Sequence, residues 1–214
     1  MSSDYSTLER EWLDEDVYCV GGGPSLKGFD FSLLKDKRVI GCNDAYHLGG
    51  DIIKILVFGD AGWWHRNRMN LETFTGRVAT NAPSMKEFQV PGMLKFKRER
   101  DGYHKGDTLG WNYSTGALAI NLAVNLGARR VLLLGYDLAN HDGQSHWHHL
   151  NSKTTQDASF ARFLRGFHML QRHLPVGVDV ANVTDGTSKL KCFREMTFNE
   201  LHQHLARAPL KEAA

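Results

Sequence analysis

An α/β fold, a mostly parallel sheet flanked by helices, is predicted by two features of this sequence. Short apolar runs rich in β-branched residues alternate with longer helical patterns, and nearly every run ends on a polar residue. The strand candidates are 17–20 (VYCV), 38–42 (RVIGC), 53–59 (IKILVFG), 130–135 (RVLLLG) and 178–183 (VDVANV). They are short and lack polar alternation, as strands buried on both faces do.

The helices follow from periodicity and end signals. Residues 114–127 are apolar nearly all round except for Asn121 and Asn125, with Ser114 and Thr115 at the start and Gly127 at the stop. That is the pattern of a buried crossover helix. Residues 157–174 place Phe160, Phe163, Leu164, Phe167 and Leu170 on one stripe, with Arg162, Arg165 and Arg172 away from it. Residues 197–207 predict a last surface helix, residues 5–13 a short leading one, and the final residues a fraying tail. Residues 61–113 are irregular and read as an insertion with a few edge strands. The whole chain, 1–214, is then a single domain.

Composition narrows the class. The chain has 214 residues, enough to bury a sizeable core, and a formal net charge of +2 that argues for no nucleic-acid or membrane partner. Cys19, Cys42 and Cys192 are scattered, without disulfide or zinc spacing. The acidic, polar start is unlike a secretory signal, and no apolar run reaches membrane-spanning length. A soluble, cytoplasmic protein is expected.

In an open parallel sheet, ligands bind beyond the carboxyl ends of the strands. Those ends carry Gly21-Gly22-Gly23-Pro24-Ser25, then Asn43-Asp44, Asp60, Tyr136-Asp137 and Thr184-Asp185. One Asp or Asn there is an ordinary helix cap; five such ends make a polar site. The glycine stretch lacks the order of a P-loop, and the third glycine of the dinucleotide fingerprint is replaced by Leu26. It reads as a tight turn into a short helix opened by Pro24, with free amides facing an anion. A turn packed tightly for steric reasons alone is the competing explanation. Ser114-Thr115-Gly116 form a second candidate anion site at the start of the buried helix.

Four histidines crowd into one loop, His141, His146, His148 and His149. Imidazole titrates nearest neutrality, so His146, His148 and His149 are candidate general bases for an acceptor hydroxyl, with no ground to choose among them. A metal site lacks a carboxylate at a familiar spacing, and a solvated loop is the plain alternative. The mixed segment 63–68 (WWHRNR), with Arg66 and Arg68, suits stacking of sugars or bases and binding of phosphates, but reads first as a partly buried loop or a subunit contact.

Three blocks in order carry a resemblance. The opening strand, Gly21, Gly23, Pro24, Ser25 and Leu26, then Cys42-Asn43, resembles the start of bacterial sialyltransferases that use CMP-sialic acid, and of related phage and bacterial proteins. Ser114, Thr115 and Gly116, followed by a strand ending in Gly135-x-Asp137, are similar to the family's second block. The histidine segment 145–164 is similar to its catalytic-histidine region. The resemblance implies a Rossmann-like, metal-independent glycosyltransferase. A sugar would pass from a nucleotide sugar, a CMP-sugar or relative, to a hydroxyl on a glycan or a modified nucleic-acid base. Gly21–Ser25, Asn43, Asp60, Ser114–Gly116 and Asp137 would hold the nucleotide; no cofactor is required, and a homo-oligomer is an open expectation. Two positions depart from the pattern: Gly22 stands where the family has Asn, and Ala139 where it has Tyr. The archaeal-type hydroxymethylpterin diphosphokinases share the first two blocks more distantly. That chemistry would need magnesium, for which Asp60, Asp137 and Asp185 are candidate ligands. A non-catalytic nucleotide-binding or assembly protein is the third reading.

Overall fold

The computed structural model describes residues 5–85, 90–148, 150 and 154–207. The strands in chain order are β1 (Asp16–Val20), β2 (Arg38–Cys42), β3 (Ile55–Phe58), β4 (Arg77–Thr80), β5 (Met93–Lys95), β6 (Lys97–Glu99), β7 (Thr108–Gly110), β8 (Arg130–Leu134), β9 (Asp179–Val183) and β10 (Arg194–Met196). The helices are α1 (Ala61–Asn67), α2 (Thr115–Asn125), α3 (Asp157–His173) and α4 (Phe198–Arg207). Eight strands form one parallel sheet in the order β10-β9-β8-β1-β2-β3-β4-β5, and β6 and β7 pair separately.

Side chains alternate across this sheet, so each strand feeds two cores. Val17, Cys19, Ile40, Val57 and Leu133 face a layer made by α2 and α3. Tyr18, Val20, Leu56, Phe58 and Leu132 face the other, closed by Trp63 of α1 and by Leu201 and Leu205 of α4. All five predicted strands are present. Residues 61–113, read from sequence as an insertion, contribute β4 and β5 to the same parallel sheet, with β4 between two neighbours.

The predicted leading helix is absent. Residues 6–10 run without helical structure, and Ser6 bonds to the exposed side of β5, its amide donating to the Lys95 carbonyl at 2.8 Å and its hydroxyl accepting from the Lys95 amide at 3.1 Å. Trp12 is buried beneath the end of α2, its amide donating to the Leu126 carbonyl. Pairing at the sheet edge and burial of one indole outweigh a modest helical propensity.

α2 is buried nearly throughout, and its two asparagines have an internal task. Asn121 Oδ1 accepts from the Gly110 amide at 2.7 Å and the His104 amide at 3.2 Å, while its Nδ2 donates to the His104 carbonyl at 2.8 Å. Asn125 Nδ2 donates to the same carbonyl at 2.7 Å, and its Oδ1 accepts from the Gly106 amide. Together they satisfy the polar backbone of the loop entering β7. Asn121→Ala should therefore leave several backbone groups unpaired and cost about 2–4 kcal/mol, read as a lower urea midpoint.

Candidate functional site

The strand order fixes where a ligand cleft forms. From β1 the chain builds outward through β2 to β5, then α2 returns it to β8 on the other side of β1. The connections diverge between β1 and β8, opening a crevice at their carboxyl ends. A cleft of about 430 Å³ lies there, lined by the loop after β1, the turn after β2, the start of α2, the segment after β8, and His146 and His148.

The glycine loop is bare chiefly because protein packs against it. A Cβ on Gly21 or Gly23 would lie 2.7 or 2.6 Å from the Gly135 carbonyl oxygen, and one on Gly22 would lie 2.8 Å from His146 Cδ2. The expectation of free amides facing an anion is corrected at three positions. The Gly21 amide donates to Leu134 and that of Gly23 to Gly135, both at 2.8 Å, and the Ser25 amide donates to Asp137 Oδ2. These bonds tie the end of β1 to the end of β8. Gly21–Gly23 still line the cleft, as a flat wall rather than an amide cradle.

Pro24, Ser25 and Asp137 are placed behind that wall. Pro24 opens a single 3-10 turn and is buried, and Asp137 is 1% exposed with its carboxylate on the Ser25 amide. Burial pushes the Asp137 carboxyl above the usual carboxylate range, and the Ser25 amide pulls it partway back. None of the three lines the cleft, so each supports the loop from beneath.

The turn after β2 brings Asn43 and Asp44 to the cleft. Asn43 is held in the left-handed region (φ 51°), and its side-chain oxygen is buried without a hydrogen-bond partner among the described residues. Asparagine tolerates this backbone better than most residues. Asp44 Oδ1 accepts from the Trp63 indole at 2.9 Å, and its other oxygen lies 3.9 Å from His148 Nε2. The His146 and His148 rings sit 5.2 Å apart. Burial holds the His146 imidazole below its ordinary value, against the pull of the Asp44 carboxylate. His149 lies outside the described residues.

Trp147 fastens this histidine segment to the glycine wall. Its amide donates to the Gly22 carbonyl at 2.9 Å and its indole to the Gly21 carbonyl at 3.1 Å. On the facing side, Ser114 caps α2 by accepting from the Gly116 amide at 3.2 Å. Tyr136 packs beneath that turn, its hydroxyl donating to the Gly116 carbonyl at 3.3 Å and lying 3.7 Å from Cys42 Sγ. Burial pushes the Tyr136 phenol well up and the Cys42 thiol up to about 12, so both stay protonated.

Asp60 lines the cleft and caps α1 by accepting from the Gly62 amide at 2.7 Å. With Asp137 buried and Asp185 turned to its own Thr187, the three candidate magnesium ligands are engaged in separate turns. Among the described residues no three of His, Cys, Asp and Glu are grouped to hold a metal. Sequence reasoning missed Trp111, Tyr113 and Arg162, which also line the cleft, as does Arg66 of the segment read first as a loop or subunit contact. Trp111 reaches it by packing on Gly59, with the Arg98 guanidinium 4.3 Å over its ring. Nothing in the one-dimensional pattern joins residues so far apart.

The architecture has solved counterparts. The chain is similar to the sialyltransferase CstII of Campylobacter jejuni in complex with the substrate analogue cytidine-5′-monophosphate, with TM-score 0.54, 16% identity and 86% of each chain covered. It is also similar to the monofunctional α-2,3-sialyltransferase Cst-I of the same organism, with TM-score 0.55, 14% identity, and 90% of this chain and 85% of that one covered. The Rossmann-like sheet flanked by helices is thus a sialyltransferase-like fold. No protein-family model matches the chain, and no curated protein matches it in sequence.

Three substitutions test the wall. Gly22→Ala should leave the fold intact and swing the His146 ring away. Its imidazole then titrates closer to the ordinary histidine value, read from its ring protons by NMR; an unchanged titration would mean the ring does not rest on Gly22. Asp137→Ala, which orphans the Ser25 amide, should cost about 1–3 kcal/mol. Asp137→Asn keeps an acceptor for that amide and removes a buried charge. A raised folded-state value favours the native state at low pH and loses that benefit as pH rises through it. The Asn variant should thus gain on wild type as pH climbs above the ordinary aspartate value, in urea titrations at several pH values.

Proposed function

We propose that this protein is a glycosyltransferase-like enzyme that binds a nucleotide sugar, a CMP-sugar or a relative, in the cleft between the ends of β1 and β8. The observation that carries the reading is the unpartnered, buried oxygen of Asn43, a residue that lines the cleft opened at the topological switch point. An acceptor left without a partner in a residue that lines a cleft is suited to a ligand donor, such as a ribose hydroxyl or a base amino group. The fold shared with CstII, whose structure holds cytidine-5′-monophosphate, supports a cytidine nucleotide as that ligand.

In this reading the sugar-linked phosphate lies at the start of α2, where Ser114, Thr115 and the helix dipole favour an anion. Gly21–Gly23 form the flat wall along which the nucleoside passes. His146, kept neutral by burial, takes the acceptor proton as the acceptor oxygen bonds to the anomeric carbon. The bond from that carbon to the phosphate oxygen breaks, and the nucleoside phosphate leaves with the electron pair. His148, beside Asp44, holds its neighbour in place. No metal is needed in this scheme, since α2 and the hydroxyls carry the leaving charge. The acceptor hydroxyl belongs to a glycan or a modified nucleic-acid base.

Thermal shifts with nucleotides and nucleotide sugars, with and without magnesium, test this directly. A rise with CMP or a CMP-sugar that ignores magnesium, reduced in Asn43→Ala, is the expected result. Turnover of the bound donor should fall at least about a hundredfold in His146→Ala. It should rise with pH through a value below the ordinary histidine range, since the neutral base is the active form. A shift only with a triphosphate plus magnesium would replace this reading with the diphosphokinase. Binding without turnover in any donor would leave a nucleotide-binding protein.

A further inference from the structure

A second cleft, of about 440 Å³, opens at the amino edge of the sheet, at the far end of α2. Its walls come from Leu8 and Arg10 of the leading segment, Tyr103 and Lys105 of the loop before β7, Arg129, and the turn 175–178. α2 contributes its last residues here and its first to the candidate nucleotide cleft. Eleven residues of helix separate the two by roughly 16 Å.

The charge in this cleft is unbalanced. Arg10, Lys105 and Arg129 stand against one carboxylate, Asp14, a surplus equal to the formal +2 of the entire chain. Several other cations of this protein are paired, among them Arg77 with Glu11, Lys97 with Asp107, and Arg130 and Arg194 with Asp179. The side chains of Arg10, Lys105 and Arg129 have no ion pair or hydrogen bond among the described residues.

Capping of α2 does not account for them. Most carbonyls at its end are taken by backbone amides, Val124 by Gly127 and Ala123 by Ala128, and just past the helix Leu126 by Trp12 and Gly127 by Asp14. Between the cations the lining is mixed, with Leu8, Val124, Val178 and the Tyr103 ring beside Asn125 and exposed backbone of Gly106, Gly127 and Gly177. Val176 is fully exposed at the rim. A cleft of this size suits a small molecule, and its cations suit an anion.

We propose that this cleft is a second binding site, for a small organic anion that carries phosphate or carboxylate groups on an apolar body. The cations would hold the charged groups while Val178, Val124 and Tyr103 cover the body. The site shares no residue with the nucleotide cleft and stands whether or not the proposed transferase activity does.

Hydrogen exchange with 1-naphthyl phosphate, against neutral 1-naphthol, reads both binding and its location. The expected result is slowed exchange at 103–106 and 175–178 with the phosphate ester only. Affinity should fall at least about tenfold between roughly 0.05 and 0.5 M salt. Protection should vanish in the R10A/K105A/R129A variant, whose three exposed side chains can be removed with the unliganded melting point nearly unchanged. Equal protection by naphthol, protection that survives the triple variant, or protection confined to 21–23 and 114–116 would each overturn the proposal.

Discussion

The site depends on how closely the end of β1 approaches the end of β8. Two backbone hydrogen bonds, Gly21 to Leu134 and Gly23 to Gly135, hold the two strand ends together past the last paired strand residues. Gly135 itself adopts φ 73°, and a Cβ there would lie 2.7 Å from Leu26 Cδ1. Each glycine is therefore needed where another backbone or side chain already is. This contact lies at the point where the strand order reverses, so the crevice that admits a ligand is opened and bounded by the same few residues.

From that join the functional side chains are placed by short, specific ties. Asp137 fixes the turn behind the glycine wall through the Ser25 amide, and Trp147 fixes the histidine segment in front of it through two glycine carbonyls. Asp44 links the turn after β2 to α1 through Trp63 and lies beside His148. Arg98 of β6 anchors its surroundings in a comparable way. Arg98 bonds the Gly59 and Asn81 carbonyls and lies over Trp111, and burial lowers its guanidinium to about 10. A cation with those carbonyl partners and an aromatic face is well provided for despite losing water.

Much of the fold was legible because the chain obeys simple periodicity. Strands buried on both faces have unbroken apolar runs, and α2 announces itself by Ser114 at its start and Gly127 after its end. Residues 5–13 misled because local helical character carries no sign of the sheet edge they reach. β4 and β5 were hard to see because they are short and mixed in polarity, with Arg77 and Lys95 in a parallel sheet. At the site, polar residues at strand ends identified the correct rim. Which of them point into the cleft was not legible, because Asp60, Asp137 and Asp185 differ only in what their neighbours offer. The steric explanation of Gly21–Gly23 also needs Gly135 and His146, more than a hundred residues away.

Gly22 and Ala139 acquire a physical sense together. At the Gly22 position a side chain would occupy the space of His146, so glycine there is the condition for an imidazole seated on the wall. Ala139 is small and buried at the cleft margin, where Tyr136 already supplies an aromatic ring from beneath α2. Because burial keeps that phenol and Cys42 protonated and His146 neutral, this side of the cleft bears little formal charge. The cleft carboxylates Asp44 and Asp60 are occupied by the Trp63 indole and the Gly62 amide. An anionic group entering here would meet oriented dipoles at the start of α2, in a cleft that Arg66 and Arg162 also line, and such dipoles act strongly when water is excluded.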